Sequence, residues 1–476
     1  MKLTKYYKRR TKIVCTIGPS SAAIIEPLIR AGMNVARLNL SHGSYQEHAR
    51  YLRTVRNTAN RLQVPVAILM DFPGPKARTG SLKDGPVTLR KGAEVVLTTE
   101  PVEGDEKRLS VNLTAFPKLV KPGDRILIDD GAIQLRVKGV HENEVVGRVT
   151  AGGKLLPHRG IAVPGIASYG PFMTEQLSEQ IAFAAEHKPE YIALSFVSSD
   201  EDIVKTRTAL HERDCEILLI AKIERKSAVT NFDKILEASD GIMIARGDLG
   251  VDLPIEKIPL VQKQLIRKTN QAAKPVITAT QMLESMVSSV QPTRAEVTDV
   301  ANAIFDGTDA VMLSAETSVG NHPVEAVRIM AKIALEVEDN ISYESILAER
   351  SSWLKLQTAE LISYNACHAA SRLRAAAIVA FTQSGSTAQR VSKYRPRVPI
   401  LALTSSELIS RRLELYWGIR GVRIAEPSSL VDLFTTAARY CQELGLAKSG
   451  DLVVITGGIP IGVAGTTNLL KVEKIT

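Results

Sequence analysis

Eight short runs in this chain are apolar at nearly every position: KIVCTI, VARLNLS, VAILMD, YIALSFV, EILLIAKIE, GIMIAR, PVITATQ and AVMLSAE. A strand with one wet face alternates apolar and polar residues, so runs like these suit parallel strands covered on both faces. Amphipathic segments separate them. PTRAEVTDVANAIFDG is the best marked: Thr293 and Glu296 have capping-box spacing, Val297, Val300, Ala301 and Ile304 share one face, and Gly307 is a stop. Eight βα units predict an α/β fold built on a (β/α)8 TIM barrel.

The pattern breaks once. From Pro75 to about Pro171 the helical period disappears, and short Val/Leu/Ile strands take over, as in GDRILIDDGAIQLRV and NEVVGRVTAGG. This predicts a small inserted β-barrel domain, residues 75–171, between barrel segments 1–74 and 172–340. An insertion at the carboxyl end of a barrel strand overhangs the active-site face and acts as a lid. From residue 341 to 476 the strands AAIVAFT, PILALTS, GVRIAE and DLVVITGG alternate with helices, and TNLLKVEKI follows, which predicts a doubly wound α/β domain. Three domains suit the length of 476 residues.

The net charge is +9, but Lys2, Lys5, Lys8, Arg9, Arg10 and Lys12 supply six of these charges with no acid among them, leaving +3 elsewhere. Such an arm reads as a solvated tail, and with aromatics at 5% there is no stacking platform for single strands, so no nucleic-acid partner is expected. Cys15, Cys215, Cys367 and Cys441 lie far apart without metal or redox spacing, which reads as buried thiols in a reducing, cytoplasmic compartment. No apolar run follows the basic arm, so no secretory signal is read. The uncharged run Leu452–Leu470 is broken by Gly, Pro and Thr and reads as strand and loop, with no membrane partner.

A barrel presents its chemistry at the carboxyl ends of its strands. Those ends carry Arg37, Asn39 and Ser41; Asp71; Lys222 and Glu224; Arg246 and Asp248; Thr280 and Gln281; Ser314 and Glu316. Any one of these suits an ion pair or a helix cap; their convergence points to a site. Glu224 and Asp248 suit a hard divalent cation. Arg37 and Arg78 offer forks matched to phosphate oxygens. Lys222 shares a face with Glu224, where a point cation beside a metal suits charge developing on a phosphoryl group or an enolate. Thr280 and Ser314 suit proton transfer through water. No nucleophile–base pair stands out.

The sequence resembles the pyruvate kinases in CTIGPSS, GMNVARLNLSHG, GPKARTG, LLIAKIE, DGIMIARGDLGV, KPVITATQMLESM, PTRAEVTDVANAIFDGTDAVMLSAET and GDLVVITGG, in family order over nearly the whole chain. The resemblance implies a glycolytic transfer of the phosphoryl group of phosphoenolpyruvate to ADP, giving pyruvate and ATP, in a homotetramer. It implies that Arg37 and Arg78 hold the phosphoryl group, and that Lys222 stabilises charge between phosphoryl and enolate oxygens. Glu224 and Asp248 would bind Mg²⁺ or Mn²⁺. The backbone from Ala245 through Arg246 to Gly247 would receive the substrate carboxylate, Thr280 would help protonate the enolate carbon, with Ser314 nearby, and Pro19, Asn39 and His42 would line the nucleotide side. The competing readings are another metal-dependent barrel enzyme of enolate chemistry and a catalytically dead effector-binding protein.

Three departures carry expectations. RGIA, with Arg159 and Ala162, stands where the family often has lysine-glycine and asparagine, and SAET stands for SGET, placing Ala315 where a positive φ would be resisted. The family holds K⁺ with groups matching Asn39, Ser41, Asp71 and the carbonyl of Phe72. Lys76 stands where K⁺-requiring members have glutamate, so Lys76 is expected to sit on Asp71 as a built-in monovalent cation, leaving K⁺ unneeded and Arg78 free for phosphate. In the C-terminal domain FTQSGSTAQR offers Thr382, Ser384, Gly385, Ser386 and Thr387 to a phosphorylated effector, as the family does.

Overall fold

The computed structural model describes residues 8–74, 76–129, 131–166, 170–460 and 465–476. Pro75, Asp130 and the residues of the arm before Lys8 lie outside them. Eight parallel strands close into a barrel: Lys12–Thr16, Val35–Asn39, Ala67–Phe72, Tyr191–Leu194, Leu218–Ile223, Gly241–Ala245, Val276–Ala279 and Ala310–Leu313. The first pairs with the eighth, Lys12 against Ala310, which removes every edge. Their lack of alternation has the expected cause. Val14, Leu69, Ile220, Met243 and Ile277 fill the interior, while Ile13, Leu38, Ile68, Leu219 and Ile244 pack outward against helices. The helix Arg294–Phe305 begins on the Thr293–Glu296 capping box and buries Val300, Ala303 and Ile304.

Between the third and fourth barrel strands lies a seven-stranded sheet. Its terminal strands, Ala77–Arg78 and Arg108–Ser110, meet through a bridge from Thr79 to Val111, so the sheet curls shut. One short helix, Phe116–Leu119, interrupts a region read as wholly β. The C-terminal sheet runs Ile419–Arg423, Ile400–Thr404, Ala377–Phe381, Leu452–Gly458 and Thr467–Lys474, the last antiparallel. Among the described residues no helix is long and apolar enough to cross a membrane.

The basic arm needs a correction. Arg9 donates to Gly32 O at 2.5 Å and Asn34 Oδ1 at 2.8 Å, the Arg10 amide donates to Glu338 Oε2 at 2.8 Å, and Lys12 pairs with Glu414 at 3.2 Å. Gly32, Asn34 and Glu338 belong to the barrel and Glu414 to the C-terminal domain, so groups of both domains replace solvent around this arm. The four cysteines are free and buried, as their spacing implied.

Candidate active site

At the carboxyl end of the barrel one chain of charge links the second, third and fifth strands. Arg37 Nε pairs with Asp71 Oδ2 at 2.8 Å, Asp71 Oδ1 lies 3.2 Å from Lys222 Nζ, and Lys222 Nζ lies 2.9 Å from Glu224 Oε1. All four residues are buried. Thr16 Oγ1 accepts from Arg37 Nη1 at 2.8 Å, and Ser195 Oγ accepts from Lys222 Nζ at 2.7 Å. Burial alone would push the Asp71 carboxyl up; Lys222 and Arg37 outweigh it and hold it below its ordinary value. Burial would likewise discharge Lys222, yet Asp71 and Glu224 keep it ammonium with a raised pKa. Glu224 goes the other way: burial and the nearby Asp248 charge raise it against the pull of Lys222.

The backbone around this chain is tightly fixed. Phe196 has φ 57° and donates its N–H to Glu224 Oε2 at 2.6 Å. An aromatic residue at positive φ is uncommon and needs such anchoring. A Cβ at Gly74 would lie 2.8 Å from Ser195 O, so only glycine lets the chain after the third strand pass. Ser195 and Phe196 were missed in the sequence, although the strand-end rule covers YIALSFV as well.

Strands six to eight carry a second group. Thr280, β-branched, stands at φ 68° and Gln281 at 53°. Thr280 Oγ1 accepts from Gly247 N at 2.8 Å, and Thr280 O accepts from Arg246 Nη2 at 2.8 Å. Arg246 also grips Asp299 at 2.6 Å, so its side chain braces the Thr280 loop. Ser314 N and Leu283 N both donate to the buried Glu316, which ties the ends of strands seven and eight. Ala315 opens the short helix Ala315–Ser318 without a positive φ, so the extra methyl meets no strain. At the rim Pro19, Ser41 and His42 are exposed, and Ser41 N donates to Asn39 Oδ1 at 3.2 Å.

The expected pairing of Lys76 with Asp71 is corrected. Lys76 Nζ lies 2.7 Å from Asp248 Oδ1. Both Asp71 oxygens are engaged by Arg37 and Lys222 inside the barrel, whereas Lys76 follows the corner on the lid side. Its stem crosses Gly160 of the lid, where a Cβ would lie 2.7 Å from Lys76 Cε. Nor do the two expected phosphate forks converge on one partner. Arg78 belongs to the lid sheet, its N–H donating to Asn112 Oδ1 at 2.7 Å and its guanidinium to His158 O at 3.3 Å. Phe72 buries its ring in the barrel core. Between lid and barrel lies a cleft lined by Lys76, Ala162, Phe196, Glu224, Arg225 and Asp248. Arg159 pairs with Asp129 at 3.3 Å along the lid.

Glu224 and Asp248 supply oxygen donors whose charges act on each other across this cleft. Among the described residues no group of three or more His, Cys, Asp or Glu side chains forms a cage. Two carboxylates without a cage fit a hard divalent ion that keeps water or substrate ligands.

In the C-terminal domain Thr382 Oγ1 accepts from Gly385 N at 2.8 Å, and Gly385, at φ 90°, precedes the helix Ser386–Lys393. A shallow pocket opens here, lined by Thr382, Ser384, Ser386, Thr387 and Glu426. The Thr387 hydroxyl is already bonded to Thr467 Oγ1 at 2.8 Å.

The chain matches the family models described as pyruvate kinase, barrel domain, over residues 8–327, and pyruvate kinase, alpha/beta domain, over residues 360–473. It is 46% identical to the pyruvate kinase of Geobacillus stearothermophilus, spanning 98% of this chain and 81% of that one. It is 43% identical to that of Clostridium acetobutylicum over 98% of this chain and 100% of the other. A crystal structure of a pyruvate kinase from Cryptosporidium parvum superposes with a TM-score of 0.92 at 35% identity, covering 99% of this chain and 97% of that one.

Proposed function

The chain belongs to the pyruvate kinase family, and on that premise we propose how its own residues transfer the phosphoryl group of phosphoenolpyruvate to ADP, giving pyruvate and ATP. The observation that carries the reading is the buried run Arg37–Asp71–Lys222–Glu224 beside the lid cleft. Arg37 and Arg78 hold the phosphoryl group, and Lys222 stands where negative charge passes between phosphoryl and enolate oxygens. Asp71 positions both Arg37 and Lys222, so two cations keep a fixed geometry before substrate arrives. The backbone of Ala245, Arg246 and Gly247 receives the substrate carboxylate. Thr280, held at positive φ, and Ser314 guide a proton to the enolate carbon. Pro19, Asn39 and His42 face the nucleotide. The lid excludes water, which would otherwise take the phosphoryl group.

Members of this family generally use Mg²⁺; Glu224 and Asp248 would hold it, or Mn²⁺, here, and when bound it would supply charge neutralisation at the phosphoryl oxygens. K⁺ is not required. Lys76 brings a fixed monovalent charge into the cleft, Asp71 already carries two cations, and Phe72 faces the core. The Thr382–Thr387 loop takes a phosphorylated effector. The enzyme is a cytoplasmic homotetramer on this reading; four buried free thiols support a reducing compartment. The test is pyruvate formation from phosphoenolpyruvate and ADP. Turnover that needs both Mg²⁺ and ADP supports the reading, and absence of pyruvate under those conditions overturns it.

A further inference from the structure

Away from both sites, a recess of about 730 Å³ lies where the barrel meets the C-terminal domain. Four arginines line it: Arg10 from the segment before the first barrel strand, Arg374 after the helix Thr358–Arg372, and Arg395 and Arg397. Among the described residues Arg374 and Arg397 have no carboxylate partner. Arg10 Nη1 meets Glu338 at 3.6 Å and its Nη2 donates to Arg397 O, while its buried Nε has no hydrogen-bond partner. Glu344, exposed, is the one carboxylate in this lining. The Tyr343 ring lies 5.2 Å beneath Arg10, and its hydroxyl is spent on Glu338 O at 2.9 Å. Leu347 and Ala370 give the recess apolar walls.

We propose that this recess binds a small doubly charged anion, a phosphate monoester or phosphate itself, through Arg374, Arg397 and Arg10. Like charges gathered around a recess with apolar walls raise its positive potential, and two of them, Arg374 and Arg397, are exposed and have no carboxylate partner among the described residues. Planar forks match tetrahedral phosphate oxygens with two bonds each. Recessed geometry and the lack of exposed aromatic rings favour a small ligand over a nucleic-acid strand. The ligand spans two domains, because Arg10 belongs to the barrel segment and Arg374 and Arg397 to the C-terminal domain. Arg395, two residues before Arg397, grips Asp309 at 2.8 Å and Gly307 O at 2.7 Å, so the site is tied to the start of the eighth barrel strand.

The chain carries its own reporter. Its two tryptophans, Trp353 and Trp417, flank this junction, Trp417 lying 6.2 Å from Tyr343 and 4.8 Å from Arg395. Tryptophan fluorescence is titrated with inorganic phosphate and with glycerol 3-phosphate, against sodium chloride at matched ionic strength. A saturating change is expected with both phosphates and not with chloride, together with a raised melting temperature. The change persists in Ser384→Glu, which separates this recess from the loop pocket. It weakens by at least about tenfold in the Arg374→Gln/Arg397→Gln double variant and recovers in part in the Arg374→Lys/Arg397→Lys pair. The proposal is overturned by a wild-type response matching chloride, by an unchanged curve in the glutamine pair, or by loss of the response in Ser384→Glu.

Discussion

At Asp71 a buried carboxylate carries two cations at once, Arg37 at 2.8 Å and Lys222 at 3.2 Å. The strand end ILMDFPGPKARTG shows that such a carboxylate exists; it does not show its partners. Those come from closure of the barrel, which sets the third strand near the fifth across the mouth. Lys76, five residues along, looked like the obvious partner and instead reaches Asp248, 172 positions away. The lid, folding back over the cleft, decides that contact. Lys76→Glu puts a carboxylate beside Asp248 and removes the fixed cation. The wild-type enzyme is expected to run at nearly full rate in K⁺-free buffer with Mg²⁺, and the variant to require K⁺. A wild-type rate that rises by about tenfold or more on adding K⁺ sinks this reading and leaves the reaction assigned.

At the scale of elements the barrel was legible because two-sided burial leaves runs without alternation, and helix Arg294–Phe305 because its capping box is local chemistry. Local signals do not encode which side of the lid a residue faces, so the sequence offers Arg78 as a phosphate fork without showing that its guanidinium lies along the lid at His158. The same limit applies to Phe196, whose positive φ only the surrounding hydrogen bonds enforce. In the C-terminal loop Thr382 and Thr387 are tied down by Gly385 and Thr467, while Ser384 and Ser386, bonded only to each other at 3.2 Å among the described side-chain contacts, remain to meet a ligand. Ser384→Glu places a carboxylate there and should abolish activation by sugar phosphates while sparing the unactivated rate. Linkage requires that phosphoenolpyruvate tighten effector binding by the factor by which effector tightens phosphoenolpyruvate. Unchanged activation by every tested effector would reduce the loop to a helix cap.

Across the whole molecule, the C-terminal domain closes the end of the barrel opposite the chemistry. Leu415 packs with the interior residues, and the Tyr191 hydroxyl donates to Arg412 O at 2.5 Å. Lys12, Asn34 and Arg420 converge on the buried Glu414 at this junction. Burial lowers the Lys12 ammonium to about 8, against the pull of Glu414. The unfolded chain, where Lys12 titrates near its ordinary value, therefore binds more protons above that pH. The penalty for burying this charge is complete below about pH 8 and is relieved as pH rises toward the ordinary lysine value. The stability of the wild type relative to Lys12→Met, from urea melts, is expected to increase across that window; a flat or falling difference contradicts it. The opposite face, with its lid, serves one buried ammonium held by two carboxylates. Turnover of Lys222→Met tests that claim most directly, with circular dichroism and Mn²⁺ binding as checks on fold and metal. The account predicts a folded, metal-binding protein whose kcat falls by roughly two to three decades, about 3–4 kcal/mol of lost transition-state stabilisation. Near-normal turnover in that variant would contradict it.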